Sequence, residues 1–223
     1  MQEATLSPAV ENYLKAIYLL QTKSGKPVAT SQLAERLGVA AGSVSGMIEH
    51  LAREGLVEHV RYRGVRLTDE GRQFALGIVR RHRLLETFLV DELGMRWGEV
   101  HGEAEALEHA VSDRLLDAIV AKLGDPVRDP HGDPIPTAEL QIDDAETVSL
   151  DQLPIGAKGR LVRVLDADRA LLAHLDALGV SLGDEVEVLA AEPFGGSLTV
   201  SFAGHKRSLG QSAAAALGVE VLA

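Results

Sequence analysis

A chain of 223 residues is long enough to bury more than one core, and this one has 33 acidic and 22 basic side chains, a formal net charge of −11 and no cysteine. Disulfides and thiolate metal sites are excluded, so any metal must be held by oxygen and imidazole ligands. The apolar runs are too short to cross a bilayer and the N-terminus lacks a basic stretch followed by an apolar one, so no membrane role is expected and the expected address is the cytoplasm. The acidity is uneven: residues 1–73 carry 9 Lys+Arg against 8 Asp+Glu, whereas residues 74–223 carry 13 against 25. The overall charge argues against general nucleic-acid binding, but leaves the first third free to contact phosphates.

In chain order, Ser7 is placed to cap a first helix. Pro8 stands at its first position, Val10, Tyr13, Leu14, Ile17 and Leu20 form one stripe, and Gly25 ends it. A short second helix opens at Thr30 or Ser31, turns Leu33, Ala34 and Leu37 inward, and stops at Gly38; a tight turn, "VAAG", follows. The segment "SVSGMIEHLAREGLV" predicts a third helix with Val44, Met47, Ile48 and Leu51 buried, and Ser43, Ser45, Gly46, Glu49 and Arg53 on the other face. Two short helices joined in this way are a helix-turn-helix, whose second helix enters the major groove. A hairpin turning at Gly64 and returning to Thr68 adds Arg61, Arg63 and Arg66. Residues 1–73 thus read as a winged helix-turn-helix, with double-stranded DNA as partner. Ser43 and Ser45 suit phosphates or base edges, and Arg53, Arg61 and Arg63 suit the backbone. With Ala40, Ala41 and Gly46 at the helix start, direct readout is thin, so shape and methyl contacts are expected to carry preference. The plainer alternative is a packed α/β domain with solvated arginines.

Residues 74–141 read as a helical, metal-binding domain. "FALGIVRRHRLLETFLVDELG" is a long helix that sets His82 and Glu86 on one face. The next helix is expected to run unbroken from Glu99 to Gly124, bringing His101, Glu105, Glu108 and His109 within an arc of about 100°. No Lys or Arg lies between Glu99 and Ser112. Two carboxylates about 4 Å apart repel by roughly 4 kcal/mol at an effective dielectric of 20, so burial demands protons or a cation. Two metal sites follow: His101 with His82 and Glu86 could make one, and Glu105, Glu108 and His109 the other. Carboxylate-rich ligation suits Mn2+ or Fe2+, though Zn2+ ranks higher in raw affinity. Catalysis is disfavoured, because there is no H-E-x-x-H and no further base or oxyanion donors beside the cluster.

After Pro126 the chain turns proline-rich and acidic, a boundary that includes a linker at residues 142–152. Residues 153–223 then show short strands punctuated by glycine, with one helix among them, the pattern of a small β-barrel. His205, beside Lys206 and Arg207, reads as a solvated strand end. The predicted fold class is mainly α with small β: a winged helix-turn-helix, a helical metal-binding domain and a small C-terminal β-barrel, which the family resemblance described next makes a dimerisation domain and an SH3-like β-barrel.

The segments "ENYLKAIY", "SVSGMIEHLAREGLV", "RRHRLLETFL", "VHGEAEALEHAVSD" and "DPHGDPIPT", in that order, give the chain a resemblance over essentially its whole length to the diphtheria toxin repressor family of metal-dependent transcription regulators. It looks closest to the manganese-responsive branch. The resemblance implies a primary metal site at Asn12, Glu105, Glu108 and His109 and a second at His82, Glu86 and His101. Manganese-type members often have aspartate where Asn12 stands, so this first-helix ligand departs from the pattern. A glutamate at 105, where iron-type members commonly have cysteine, agrees with manganese. The C-terminal part resembles the family's SH3-like domain, which in some members lends ligands to the second site; Asp166 and Asp168 could do so here, with plain surface aspartates as the alternative. The resemblance also implies a homodimer that sets two recognition helices about 34 Å apart on a palindromic operator. The function expected is a metal-dependent regulator of metal homeostasis genes responding to Mn2+. The alternatives are an iron-responsive repressor using Fe2+, or a metal-binding protein with no DNA role, which would leave the basic hairpin unexplained.

Overall fold

The computed structural model describes residues 6–142, 147–164 and 169–222. The chain divides into two compact units: residues 1–82, 108–111 and 136–141 form one, and residues 83–107, 112–135 and 142–223 the other.

The first unit is built on α1 (Pro8–Ser24), α2 (Thr30–Leu37) and α3 (Ala41–Arg53). Ser7 Oγ accepts from the Val10 N–H, Pro8 fills the first helical position, and Gly25 closes α1 in the left-handed conformation. Leu14, Ile17, Leu33, Val44, Ile48 and Leu51 are buried together with Val65, so the three amphipathic stripes do meet in a core. The turn between α2 and α3 is tighter than expected. Gly38 takes φ +65, Ala40 is the N-cap, and Ala41 and Gly42 already belong to the first turn of α3.

Strands β1 (Val57–Val60) and β2 (Gly64–Leu67) pair antiparallel, from Val57 opposite Leu67 to Val60 opposite Gly64. The hairpin is fastened to the segment before α2 by Val28 N–H to Val65 O at 2.8 Å and Val65 N–H to Val28 O at 2.9 Å. Gly64 makes that approach possible. Its φ is +111, and a Cβ there would lie 1.9 Å from Val28 O. Thr68 then caps α4 (Asp69–Asp91), accepting from the Gly71 N–H at 3.1 Å while donating to Gly55 O at 2.7 Å.

The single helix expected from Glu99 to Gly124 is two: α5 (Val100–Leu107) and α6 (Asp113–Leu123). Ser112 causes the break, because it adopts extended backbone and its hydroxyl accepts from the Leu115 N–H, starting a new helix. Glu108 and His109 consequently sit in the turn between the helices rather than on a helical face.

The C-terminal part holds β3 (Val148–Ser149), β4 (Lys158–Val164), α7 (Arg169–Leu178), β5 (Glu185–Ala191), β6 (Leu198–Phe202), β7 (His205–Leu209), α8 (Gln211–Ala215) and β8 (Leu217–Val221). Its sheet has the order β3-β8-β4-β5-β6-β7. Leu161, Val186, Val188, Val200, Phe202 and Val219 form one buried face, and Leu172 and Leu175 of α7 pack into it. The expected closed barrel is an open sheet, since no ladder among the described residues joins β7 to β3. A two-residue β3 and the polar His205-Lys206-Arg207 run protect those edges from further pairing. Among the described residues no helix is long and apolar enough to cross a membrane.

Gly64→Ala is expected to destabilise the first unit by about 2 kcal/mol or more, because strain at positive φ adds to the clash with Val28. Thermal unfolding followed by circular dichroism checks this; a melting temperature equal to that of the parent would contradict the tight approach.

Candidate metal centre and DNA-reading face

The DNA-reading candidates are all exposed residues of the first unit. Ala40, Ala41, Ser43, Ser45, Gly46 and Arg53 are exposed on α3 or its cap, while Val44, Ile48 and Leu51 face inward. Ser45 donates to Ala41 O at 3.2 Å and Arg53 to Glu49 O at 3.4 Å, bonds that DNA could replace at small cost. Arg61 and Arg63 are exposed at the wing tip. Between them lies Tyr62, a residue the sequence reading passed over. It is 90% exposed with φ +62, its ring lies under the Arg61 guanidinium at 4.8 Å, and its hydroxyl accepts from Arg61 at 2.8 Å.

The centre of the first unit's titratable groups is Glu108, 1% exposed. The Lys15 ammonium donates to both its oxygens, at 2.7 and 2.8 Å, and also lies 3.2 Å from His82 Nδ1. His82 Nδ1 is 2.5 Å from Glu108 Oε2. Burial pushes the Glu108 carboxyl up, but the His82 hydrogen bond and the Lys15 charge outweigh it and hold the group below the ordinary glutamate value. His109 completes the cluster. Its Nε2 lies 2.8 Å from Asn12 Oδ1 and 3.5 Å from Glu108 Oε1, and its Nδ1 bonds to Glu11, which also pairs with Arg81 at 3.6 Å. An amide oxygen, an imidazole nitrogen and a carboxylate oxygen therefore converge, a hard and borderline donor set that fits a divalent cation.

Three of the four residues in the expected primary site are thus brought together: Asn12, Glu108 and His109. Glu105 stands on α5, where its exposed carboxylate meets His101 Nε2 at 3.6 Å.

The second unit gathers a further group around Glu86, 2% exposed. His101 Nδ1 lies 3.0 Å from Glu86 Oε1, and His131 Nδ1 lies 3.6 Å from Glu86 Oε2. Hydrogen bonds to Glu105 and Glu86 push His101 up to about 9. His82, expected beside Glu86 and His101, precedes Glu86 by one turn on α4. Two buried residues were missed, Asp129 and His131, whose carboxylate and imidazole stand with Glu86 so that one ligand atom from each falls within 4.8 Å of the others. Burial, with the charges of Asp133 and Glu86 alongside, pushes Asp129 up to about 7. Burial lowers His131, but its hydrogen bond with Glu86 and the nearby carboxylates raise it overall.

The sequence marks the loop carrying Asp129 and His131 as a proline-rich boundary and, in "DPHGDPIPT", as a family segment, without giving either residue a role. That loop is a folded turn: Asp129 Oδ1 accepts from the His131 and Asp133 N–H groups at 2.8 and 2.9 Å. Arg83 on α4 pairs with Asp129 and Asp133 at 3.6 and 3.5 Å and donates to Pro134 O. Val164 N–H donates to His131 O at 2.8 Å, Arg163 pairs with Asp133, and Trp97 stacks on His131 with ring centroids 5.6 Å apart. Gly132, at φ +84, lets the turn lie against β4, where a Cβ would meet Val162 O at 2.0 Å. The spacing D-x-H-G was the available signal, since an aspartate two residues before a histidine and a left-handed glycine makes an Asx-type turn. Asp166 and Asp168 lie outside the described residues.

Comparison with known proteins identifies the domains. Residues 5–65 match the N-terminal DNA-binding domain of iron-dependent repressors, residues 68–137 their metal-binding and dimerisation domain, and residues 148–221 the FeoA domain. The chain is 34% identical over 213 residues to the iron-dependent repressor IdeR of Mycobacterium tuberculosis, covering 90% of this chain and 91% of that protein. It is 34% identical over 194 residues to the diphtheria toxin repressor of Corynebacterium glutamicum, covering 82% and 85%. Among solved structures it aligns with a manganese-dependent transcriptional repressor in complex with manganese at a TM-score of 0.90 and 49% identity, over 96% of this chain and all of that one. The chain belongs to the iron-dependent repressor family, the metal-dependent, DNA-binding transcriptional repressors that include the diphtheria toxin repressor, and is not an enzyme.

Proposed function

We propose that this protein is a Mn2+-activated repressor that binds a palindromic operator as a homodimer in the cytoplasm and controls metal homeostasis genes. In this reading residues 1–73 form the DNA-binding head, 74–141 the metal-binding and dimerisation domain, 142–152 a linker and 153–223 the SH3-like domain. The observation that carries it is the meeting of Asn12 on α1 with Glu108 and His109 from the turn after α5. A divalent ion held there would tie the helix on which the DNA-reading head is built to the chain that follows α5. It would thereby favour one pose of the head over others. Glu86, His101, His131 and Asp129 would hold a second ion.

Oxygen and imidazole donors without sulfur support manganese, as does the similarity to a manganese-dependent repressor in complex with manganese. A second reading, activation by Fe2+, is supported by the iron-dependent relatives at 34% identity and by the neutral Asn12. Selectivity between the two would come from geometry rather than raw affinity.

His109→Ala is expected to lower operator affinity in the presence of Mn2+ by about 100-fold, to the level of the chelated parent, as ligand losses propagate directly into metal-dependent affinity. Fluorescence anisotropy on a labelled operator fragment reads this, and an unchanged metal response would remove His109 from the site. Proton competition gives a pH dependence. His101 is held up to about 9, so near neutral pH it carries a proton that a metal must expel. If His101 ligates, Mn2+ affinity rises with pH through neutrality and flattens only above about pH 9, and His101→Ala loses part of that slope. Isothermal titration in buffers of differing ionisation enthalpy counts the released protons.

A further inference from the structure

Helix α1 turns a lysine into the interior. Lys15 is 7% exposed, and its ammonium contacts both oxygens of Glu108 and the His82 ring. Glu108 Oε1 is therefore shared, with Lys15 Nζ at 2.7 Å on one side and His109 Nε2 at 3.5 Å on the other. A cation seated among Asn12 Oδ1, His109 Nε2 and Glu108 must either take Oε1 from the ammonium or share it. A protonated lysine has no lone pair to offer a metal, so its only effect on such an ion is electrostatic and steric.

We infer that Lys15 is a tethered counter-cation of Glu108 that competes with the exchangeable divalent ion for this carboxylate. It keeps the buried carboxylate paired when the metal is absent, and it raises the metal concentration at which the pocket fills. The inference rests on the reading of Asn12, Glu108 and His109 as a metal pocket. It adds that the response threshold of the protein is set partly by a side chain that never ligates.

Two effects of opposite sign follow from removing the charge. The metal-free protein loses the partner of a buried carboxylate and becomes less stable. The pocket loses a repelling charge within a few ångströms of the ion and binds it more tightly.

The test compares the full-length protein with Lys15→Met, Lys15→Arg and His109→Ala, measuring Mn2+ affinity from the electron paramagnetic resonance signal of free Mn2+ and the melting temperature with and without Mn2+. Lys15→Met is expected to bind Mn2+ at least about tenfold more tightly, to melt lower without metal, and to gain more on adding it. Lys15→Arg, which keeps the charge, should stay within about threefold of the parent affinity. If Lys15→Met destabilises the chain too far to purify, Lys15→Gln carries the same test with an uncharged side chain of similar reach. Parent-like or weaker Mn2+ binding by the uncharged variants would overturn the inference and leave Lys15 a purely structural partner of Glu108. If His109→Ala leaves Mn2+ binding of the parent unchanged, the pocket reading itself fails, whatever Lys15 does.

Discussion

A carboxylate withdrawn from water must be compensated, and Glu108 is almost wholly withdrawn. Moving an ionised carboxylate into a protein interior costs several kcal/mol unless opposite charge and hydrogen bonds replace the lost water. Here the compensation comes from Lys15 on α1 and His82 on α4, with His109 of its own turn alongside. One buried charge thus cross-links the first helix of the DNA-reading fold, the long helix that leaves it, and the turn after α5. Because Asn12 and Glu11 on α1 also reach His109, the same place couples the head to a donor set suited to a divalent ion.

A second economy of charge operates in the other unit. The turn that carries Asp129 and His131 is held by Arg83 from α4 on one side and by Val164, Arg163 and the close approach of Gly132 on the β4 side. Glu86 meets both His101 and His131. A cation would relieve the repulsion that burial imposes on the neighbouring carboxylates of Glu86 and Asp129. The contact of this turn with β4 also ties the C-terminal sheet to the loop that carries Asp129 and His131.

Much of this was legible in the amino-acid sequence because the first seventy residues obey local rules. Caps at Ser7 and Thr68, the glycine at 38 and stripes of period 3.6 determined the three helices and the hairpin, and the exposed positions of Ser43, Ser45 and Arg53 followed from the buried ones. The helix predicted across residues 99–124 failed for a local reason as well. Hydrophobic periodicity continues through the region, but the capping tendency of Ser112 outweighs it, and that break decides which glutamates meet which histidines. Lys15 could not have been placed inside from pattern alone, because a lysine on an amphipathic helix is normally solvated and its partners, Glu108 and His82, are 93 and 67 residues away. The roles of Asp129 and His131 were obscured by their setting, since a proline-rich acidic stretch reads as a linker until the Asx turn and Arg83 are seen. The open sheet differs from the predicted barrel because alternation specifies pairing faces, whereas closure depends on which edges meet.

Whether a divalent ion governs DNA binding by this chain is decided by incubating the purified protein with fragmented genomic DNA in chelator, in Mn2+, and anaerobically in Fe2+, and sequencing what is retained. Palindromic fragments are expected to be retained only when metal is present, with Mn2+ the more effective ion. Equal retention in chelator, or none under any condition, would mean that metal does not control the DNA-reading head.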